Sequence, residues 1–323
     1  MNRRKLGALA AGVLFSLTSA TAFAETWPNK PIRAIVPFSA GGGTDTVARL
    51  VLQKVSESLG QPIVVENKVG VGGVVGDGEV AHAKPDGYTI GVTGSGFQLF
   101  NLLFDKLNFN AATDLVVVAP LASVPIAVVV GRSVPAKTMS ELIAFAKSSQ
   151  TPLAYATPGI STRHHLAGVV LGQLTGMQLE HVPYKGTTPV FNDIVGGHIP
   201  IGIVGLPGAL PYAKSGQLKV IGVGGAKRSE LAPDIPTIAE GGVKNFEASY
   251  WWDISVPKGT PQPIIDRLHK EITKALQNPG LRETLLKGGY EPMVMTREAM
   301  TAMLKADTVK WGKVIHDHNI RGQ

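Results

Sequence analysis

The first candidate site is a glycine-rich loop with the sequence Phe38-Ser39-Ala40-Gly41-Gly42-Gly43-Thr44-Asp45. It lies between a strand-like run, residues 32–37, and a helix-like run, residues 47–59. The first N–H groups of a helix have no intrahelical partner, and the positive end of the helix dipole lies at the same point. Three consecutive glycines exceed what a helix cap requires, and close approach of the backbone to a ligand explains them. We therefore expect an anion to bind at this first loop, the alternative being an ordinary turn capped by its threonine or aspartate.

A second loop of similar design lies near the middle of the chain, between a predicted strand and a predicted helix. Its candidate binding residues are Thr157, Gly159, Ser161, Thr162, Arg163 and His164. The Arg163 guanidinium can make a bidentate contact with a carboxylate. A cation at a helix N-terminus is mildly unfavourable, so Arg163 either contacts an anion or is a solvated side chain. Two such loops in one chain predict a small molecule with anionic groups at both ends.

Other kinds of chemistry have weaker support in the sequence. His164 and His165 are neighbours that point in different directions on a helix, and no zinc-protease spacing occurs, so we expect no metal. Ser95 follows a predicted strand, but no G-x-S-x-G motif surrounds it. We interpret Ser95 as a hydroxyl donor to a ligand and expect neither catalysis nor a cofactor.

The elements that must position these loops alternate between short apolar runs and amphipathic ones. This pattern is typical of an α/β fold with mostly parallel sheets. Two β-rich runs, residues 115–130 and 249–256, are read as crossovers between two lobes. We therefore predict a discontinuous first lobe, a second lobe inserted into it, and a two-segment hinge suited to closure around a ligand. The predicted bounds are 25–125 with 248–323 for the first lobe, and 126–247 for the second.

The N-terminal segment has the layout of a secretory signal peptide. A basic start precedes an apolar run and the A-x-A cleavage site Ala22-Phe23-Ala24, so we predict a signal peptide over residues 1–24 and a periplasmic protein. Removal of this segment takes Arg3, Arg4 and Lys5 with it and lowers the net charge from +7 to +4. The remaining basic residues form no long run, so nucleic-acid binding is not expected. The chain has no cysteine, which excludes disulfides and thiolate metal sites.

A series of short motifs covers nearly the whole chain after the predicted cleavage site. They are, in order, Trp27-Pro28-Asn29-Lys30-Pro31-Ile32-Arg33, Val36-Pro37-Phe38 with Gly41-Gly42-Gly43-Thr44-Asp45, Val65-Glu66-Asn67-Lys68, Lys84-Pro85-Asp86-Gly87-Tyr88-Thr89, His165-Leu166-Ala167-Gly168, His181-Val182-Pro183-Tyr184-Lys185-Gly186, Leu206-Pro207 with Ala209-Leu210-Pro211, Pro233-Asp234-Ile235-Pro236-Thr237 and Pro257-Lys258-Gly259-Thr260-Pro261. In this order they resemble the substrate-binding proteins of the tripartite tricarboxylate transporter system, also called Bug receptors.

The resemblance implies a two-lobed periplasmic binding fold, similar to type II, with the ligand cleft between the lobes. It implies a small organic carboxylate as ligand, received by the first and second loops. It also implies two membrane partners, the large and the small subunit of the transporter. We expect the receptor itself to be a monomer. A periplasmic sensor that reports to a two-component kinase, and a hydrolytic enzyme, are the alternatives.

Departures from the family pattern bear on the ligand. Val204 stands where relatives often have an aspartate, and the positions of Arg163 and His164 are often held by small residues. A lost carboxylate and a gained cation argue against an ammonium-bearing ligand such as an amino acid. Val204 and Ile160, if they face the cleft, favour an apolar ligand body. We therefore expect a dicarboxylate without an amino group, either aromatic or of medium chain length.

Overall fold

A computed structural model describes residues 27–160, 162–317 and 319–322. The predicted signal peptide, residues 1–24, and the candidate residue Ser161 lie outside this part of the chain. Within it the protein is an α/β structure with two lobes.

Among the described residues, ten strands form one curled sheet that runs through both lobes. The strands are β1 (Ile32–Val36), β2 (Ile63–Asn67), β3 (Thr89–Gly94), β4 (Leu115–Gly131), β5 (Leu153–Thr157), β6 (Leu179–Pro183), β7 (Ile201–Gly205), β8 (Leu218–Val223), β9 (Ser249–Pro257) and β10 (Glu291–Pro292). Their order across the sheet is β2-β1-β3-β9-β4-β7-β5-β6, and both β8 and β10 pair with β4.

The α-helices cover the faces of this sheet. They are α1 (Gly43–Leu59), α2 (Val74–Ala81), α3 (Phe100–Leu103), α4 (Ala111–Asp114), α5 (Met139–Ser148), α6 (Arg163–Thr175), α7 (Thr187–Val195), α8 (Leu206–Lys214), α9 (Gln262–Gln277), α10 (Pro279–Lys287) and α11 (Arg297–Asp317). α1 buries Val47, Val51, Leu52 and Val55, whose helical spacing forms one apolar face.

The two predicted crossovers are the long strands β4 and β9. Up to Pro125, β4 pairs antiparallel with β9, and from Ile126 onward it pairs antiparallel with β7. β9 returns the chain to the first lobe and pairs with β3 as well. We propose the boundary between the lobes where β4 changes its partner.

Strand direction differs between the centre of the sheet and its flanks. β1 is parallel to β2 and β3, and β5 is parallel to β6 and β7, as the alternation of strands and helices predicts. The antiparallel pairs all involve β4 or β9, because these strands carry the chain from one lobe to the other. The carboxyl ends of β1, β5 and β7 lead into the loops that face the cleft.

The C-terminal helix α11 packs on the first lobe and also reaches the second. Its Trp311 and Ile315 belong to the buried core, and just beyond it Gly322 N–H donates to the carbonyl oxygen of Leu103 at 2.6 Å. α11 also contacts α6. In the described part of the chain, no helix has both the length and the apolar character needed to cross a bilayer.

Candidate functional site

The first loop folds around the carboxylate of Asp45. Gly41 takes a positive φ of 75° and its N–H donates to Asp45 Oδ2 at 3.0 Å. The side chains of Asn67 and Arg49 donate to the same carboxylate. Burial favours the neutral carboxyl, but these hydrogen bonds outweigh it and lower the pKa of Asp45. Asp45 is 4% exposed and therefore shapes the loop from behind.

The glycines of the first loop let the helix start lie against a wall of aromatic side chains. α1 begins at Gly43, and its N-cap Gly42 offers no side-chain hydrogen bond to the first N–H groups. A Cβ on Gly43 would lie 3.0 Å from Cζ2 of Trp252. The indole Nε1 of Trp252 in turn donates to Thr44 Oγ1 at 2.8 Å. The first backbone N–H groups of α1 are thus presented without a capping side chain.

The second loop is held by hydroxyl groups. Thr157 is fully buried, and its Oγ1 donates to the carbonyl of Gly159 at 3.1 Å. Thr162 is the N-cap of α6: its Oγ1 accepts from the N–H of His165 at 3.4 Å and donates to Gly159 O at 2.7 Å. Thr157 and Thr162 therefore fix the direction in which α6 begins.

The structure corrects the expected role of Arg163. Its side chain is fully buried, pairs with Asp307 of α11, and stacks 4.3 Å from the ring centre of Trp311. Arg163 is neither a solvated residue nor part of the cavity wall described below.

The neighbouring His164 points the other way, and its ring lies 4.7 Å from that of Tyr250. Burial, with a smaller contribution from the Arg163 charge, lowers the pKa of His164 to about 3, so its imidazole is neutral at pH 7.

A cavity of about 340 Å³ lies between the two lobes, and we call it the main cavity. Its wall is rich in aromatic side chains. These are Phe38, Phe191, Tyr212, Tyr250, Trp252 and Tyr290. None of the described residues in its wall is an Asp, Glu, Lys or Arg.

The N-terminal ends of four helices reach this cavity. Two of them follow the first and second loops, at α1 and α6. The other two begin α7, where Thr187 and Thr188 line the cavity, and α8, where Gly205 and Pro207 line it. α1, α7 and α8 have no side-chain cap hydrogen bond. The partial positive charge of several helix ends therefore falls on one volume that contains no charged side chain from the described residues.

The predicted site residues divide into two groups. Those that line the main cavity are Phe38, Ala40, Gly41, Gly42, Gly43, Thr44, Thr162 and His164. Those that do not line it are Ser39, Asp45, Ser95, Thr157, Gly159, Arg163 and Val204. Val204 faces the buried core of the second lobe, so the condition under which it would favour an apolar ligand by contact is not met. Ser95 lines a smaller chamber of about 10 Å³ next to the main cavity, which we call the side chamber.

Sequence reasoning did not identify the starts of α7 and α8 as parts of the site. Gly186-Thr187-Thr188 repeats the design of the first loop, because a glycine follows a strand and precedes a helix. That signal was present in the sequence. Trp252 and Tyr290 also line the cavity, and Tyr290 had no local signal in the sequence.

The lobes contact each other beside the main cavity. Ser39 N–H donates to the carbonyl of Lys185 at 3.2 Å, and Thr188 Oγ1 donates to the carbonyl of Ala40 at 3.4 Å. The structure is therefore a closed arrangement. Among residues 27–160, 162–317 and 319–322, no group of three or more His, Asp or Glu could hold a metal ion.

A family model described as "Tripartite tricarboxylate transporter family receptor" matches residues 47–320. Among solved structures, the periplasmic binding protein BugD is 32% identical, with a TM-score of 0.86 and coverage of 92% of this chain and 100% of that one. An R. palustris protein with adipate is 31% identical, with a TM-score of 0.86 and coverage of 90% and 97%. MatC from Rhodopseudomonas palustris, with bound malate, is 29% identical, with a TM-score of 0.85 and coverage of 90% and 100%.

Proposed function

Since this chain belongs to the tripartite tricarboxylate transporter receptor family, we propose that it captures a small organic dicarboxylate between its lobes for delivery to a tripartite importer. The family is one of periplasmic solute-binding receptors. The observation that carries the choice of ligand is the main cavity, where four helix N-termini meet without a charged side chain from the described residues.

Helix ends are well suited to a carboxylate. Each uncapped end offers N–H donors and a partial positive charge, and a carboxylate accepts several such bonds at once. α1 belongs to the first lobe, whereas α6, α7 and α8 belong to the second. A ligand with a carboxylate at each end meets donors from both lobes and thereby holds them together. The adipate in one structural neighbour and the malate in another are both dicarboxylates, which supports this proposal.

The middle of the ligand meets apolar groups. Phe191 and Tyr212 stack on each other at 4.7 Å in the second lobe, and Trp252 and Tyr290 lie opposite in the first. Burial of an apolar ligand body against such surfaces contributes about 25 cal/mol per Å². An aromatic or medium-chain dicarboxylate fits this wall better than a compact tricarboxylate does.

An amino acid fits less well. An ammonium group buried without a counter-ion is costly. No described carboxylate side chain lines the main cavity, and the neutral His164 faces it instead. We therefore propose a ligand without an α-amino group, and a receptor that returns its ligand chemically unchanged.

Export and partners complete the proposal. We propose that the signal peptide predicted over residues 1–24 directs the chain to the periplasm. There it acts as a monomer and meets the large and small membrane subunits of the transporter.

The test is a thermal-shift screen of the chain from residue 25 onward, followed by isothermal titration calorimetry of each hit. The panel contains adipate, terephthalate, citrate, benzoate, glutamate and aspartate. A dicarboxylate at about 100 times its Kd should stabilise the folded state by roughly 2.7 kcal/mol. Overnight incubation and mass spectrometry should return the acid unchanged. Tighter binding of glutamate or aspartate than of every dicarboxylate would contradict the proposed ligand class.

A further inference from the structure

The side chamber adjoins the main cavity and is about the size of one water molecule. Its volume is about 10 Å³, and it shares Phe38, Thr162 and Tyr250 with the wall of the main cavity. Gly94 leaves room there for Tyr250, since a Cβ on Gly94 would lie 1.6 Å from the Tyr250 hydroxyl. A space of this size takes one oxygen-sized group and excludes a carboxylate or a methylene chain.

Asp77 lines the side chamber, and one oxygen of its carboxyl group has no partner among the described residues. The residue is 2% exposed, and its Oδ1 has no hydrogen-bond partner among the described residues. In that same part of the chain, no Lys, Arg or His forms an ion pair with it. Buried polar atoms nearly always have a partner, so an unpaired one beside a binding cavity points to a ligand.

The electrostatic surroundings favour the neutral form of this carboxyl. Burial raises the pKa of Asp77 well above its ordinary value, and the nearby Asp253 raises it further. Asp253 is itself fully buried, and its Oδ1 accepts from the hydroxyl of Thr93. A neutral carboxyl both donates and accepts one hydrogen bond, as a hydroxyl group does. An ammonium group, in contrast, requires the ionised carboxylate.

We propose that the side chamber is a ligand subsite in which Asp77, together with the hydroxyl of Ser95, receives a hydroxyl substituent of the bound carboxylate. The inference rests on the proposed function and narrows its substrate class to hydroxylated organic acids. Ser95 Oγ accepts from the backbone N–H of Trp251 at 3.4 Å, which leaves its own proton free to donate. The carboxylates of the ligand remain at the helix ends in the main cavity, and the hydroxyl occupies the side chamber.

The experiment compares ligands that differ in one substituent, by calorimetry at pH 7. The first set is succinate, malate and aspartate, and the second is terephthalate, 2-hydroxyterephthalate and 2-aminoterephthalate. The hydroxylated member should bind about tenfold more tightly than its unsubstituted partner, the size expected of one satisfied buried hydrogen bond. Two variants, Asp77→Asn and Asp77→Leu, are titrated with the same sets.

Asp77→Asn keeps one donor and one acceptor and should retain the preference for the hydroxyl group to within about threefold. Asp77→Leu should lose that preference, because leucine has neither a donor nor an acceptor. Equal affinity of the wild type for a tightly bound acid and its hydroxylated partner would overturn the subsite and leave the proposed function intact. A preference for aspartate that Asp77→Asn abolishes would overturn the hydroxyl subsite and indicate an ammonium site instead. Failure of every carboxylate in the panel to bind would overturn the proposed function and the subsite together.

Discussion

Arg163 of α6 and Asp307 of α11 form a buried ion pair between the two lobes. The side chains are 1% and 11% exposed, and the guanidinium lies between the rings of Trp251 and Trp311 at 5.4 and 4.3 Å. Arg163 directly precedes His164, which lines the main cavity. The pair therefore ties the start of a ligand-facing helix to the opposite lobe.

Removal of Asp307 should destabilise the protein strongly. Asp307→Ala leaves the Arg163 charge buried without a partner, at a cost of about 3–5 kcal/mol in the free energy of unfolding. Urea denaturation measures this cost. Glu283→Ala is the matched control, since its ion pair with Lys287 is 65% and 75% exposed and should contribute nothing measurable. Equal small effects of both substitutions would show that the buried pair does not stabilise the closed form.

Gly43→Ala should weaken ligand binding while the fold is kept. The added Cβ would lie 3.0 Å from Trp252, so the aromatic wall must shift into the main cavity. We expect Kd to rise roughly tenfold, the order given by overpacking of a tight contact. Calorimetry with the best dicarboxylate checks this. Gly280→Ala, whose Cβ would meet only Asn278 Oδ1 at 3.4 Å, should leave Kd unchanged.

Thr187→Asp should have opposite effects on folding and on binding. An acidic residue in the first turn of α7 interacts favourably with the helix dipole and adds about 0.3–1 kcal/mol of stability. The same charge lies in the wall of the main cavity and repels a carboxylate, so Kd should rise at least about tenfold. Thr187→Asn is the neutral control. Unchanged affinity of the aspartate variant would remove α7 from the binding site.

Asp253→Asn should stabilise the protein only at higher pH. Burial raises the pKa of Asp253 to about 7, far above its ordinary value of 3.8. Between these values the folded state holds a proton that the unfolded state has lost, so the contribution of Asp253 to the stability of the wild type falls as the pH rises from 4 to 7. The variant avoids this loss and should be about 2–4 kcal/mol more stable at pH 8 and equal at pH 4. Urea titrations at both pH values measure the difference.

Three buried histidines should make stability fall on acidification. Burial lowers the pKa of His164 and His181 to about 3 and that of His165 to about 4. Below pH 6.5 these histidines become protonated in the unfolded chain but stay neutral in the folded one. Each histidine therefore lowers the free energy of unfolding by about 2 kcal/mol between pH 6.5 and 5. The buried carboxyls Asp77 and Asp253 act in the opposite direction. The fall in stability on acidification should therefore be steepest in the Asp77→Asn/Asp253→Asn double variant. A stability of this variant that does not depend on pH would contradict the low pKa values of the three histidines.

The sequence by itself determined most of the longer elements and the positions of the two predicted loops. Apolar periodicity located the strands and helices, including the long crossovers that are β4 and β9, because local patterning decides which face of an element is buried. The glycines that follow β1 marked the first loop, again because the signal lies in neighbouring residues of the sequence. The helices α8 and α10 were not among the predicted elements, and α10 directly follows α9 without a separate apolar run of its own.

Only the tertiary structure decided what each side chain meets. Arg163 and Asp307 are 144 residues apart, and Thr93 and Asp253 are 160 apart, so no local pattern links them. The position of Arg163 at a helix start suggested an anionic partner, and packing of α11 across the lobes made that partner a protein carboxylate. Likewise, the pairing of β3 with β9 brings Thr93 beside Asp253, and Asp77 is buried with no counter-ion among the described residues. Local chemistry thus specified which groups could bind, whereas the long-range packing specified which of them face the cavity.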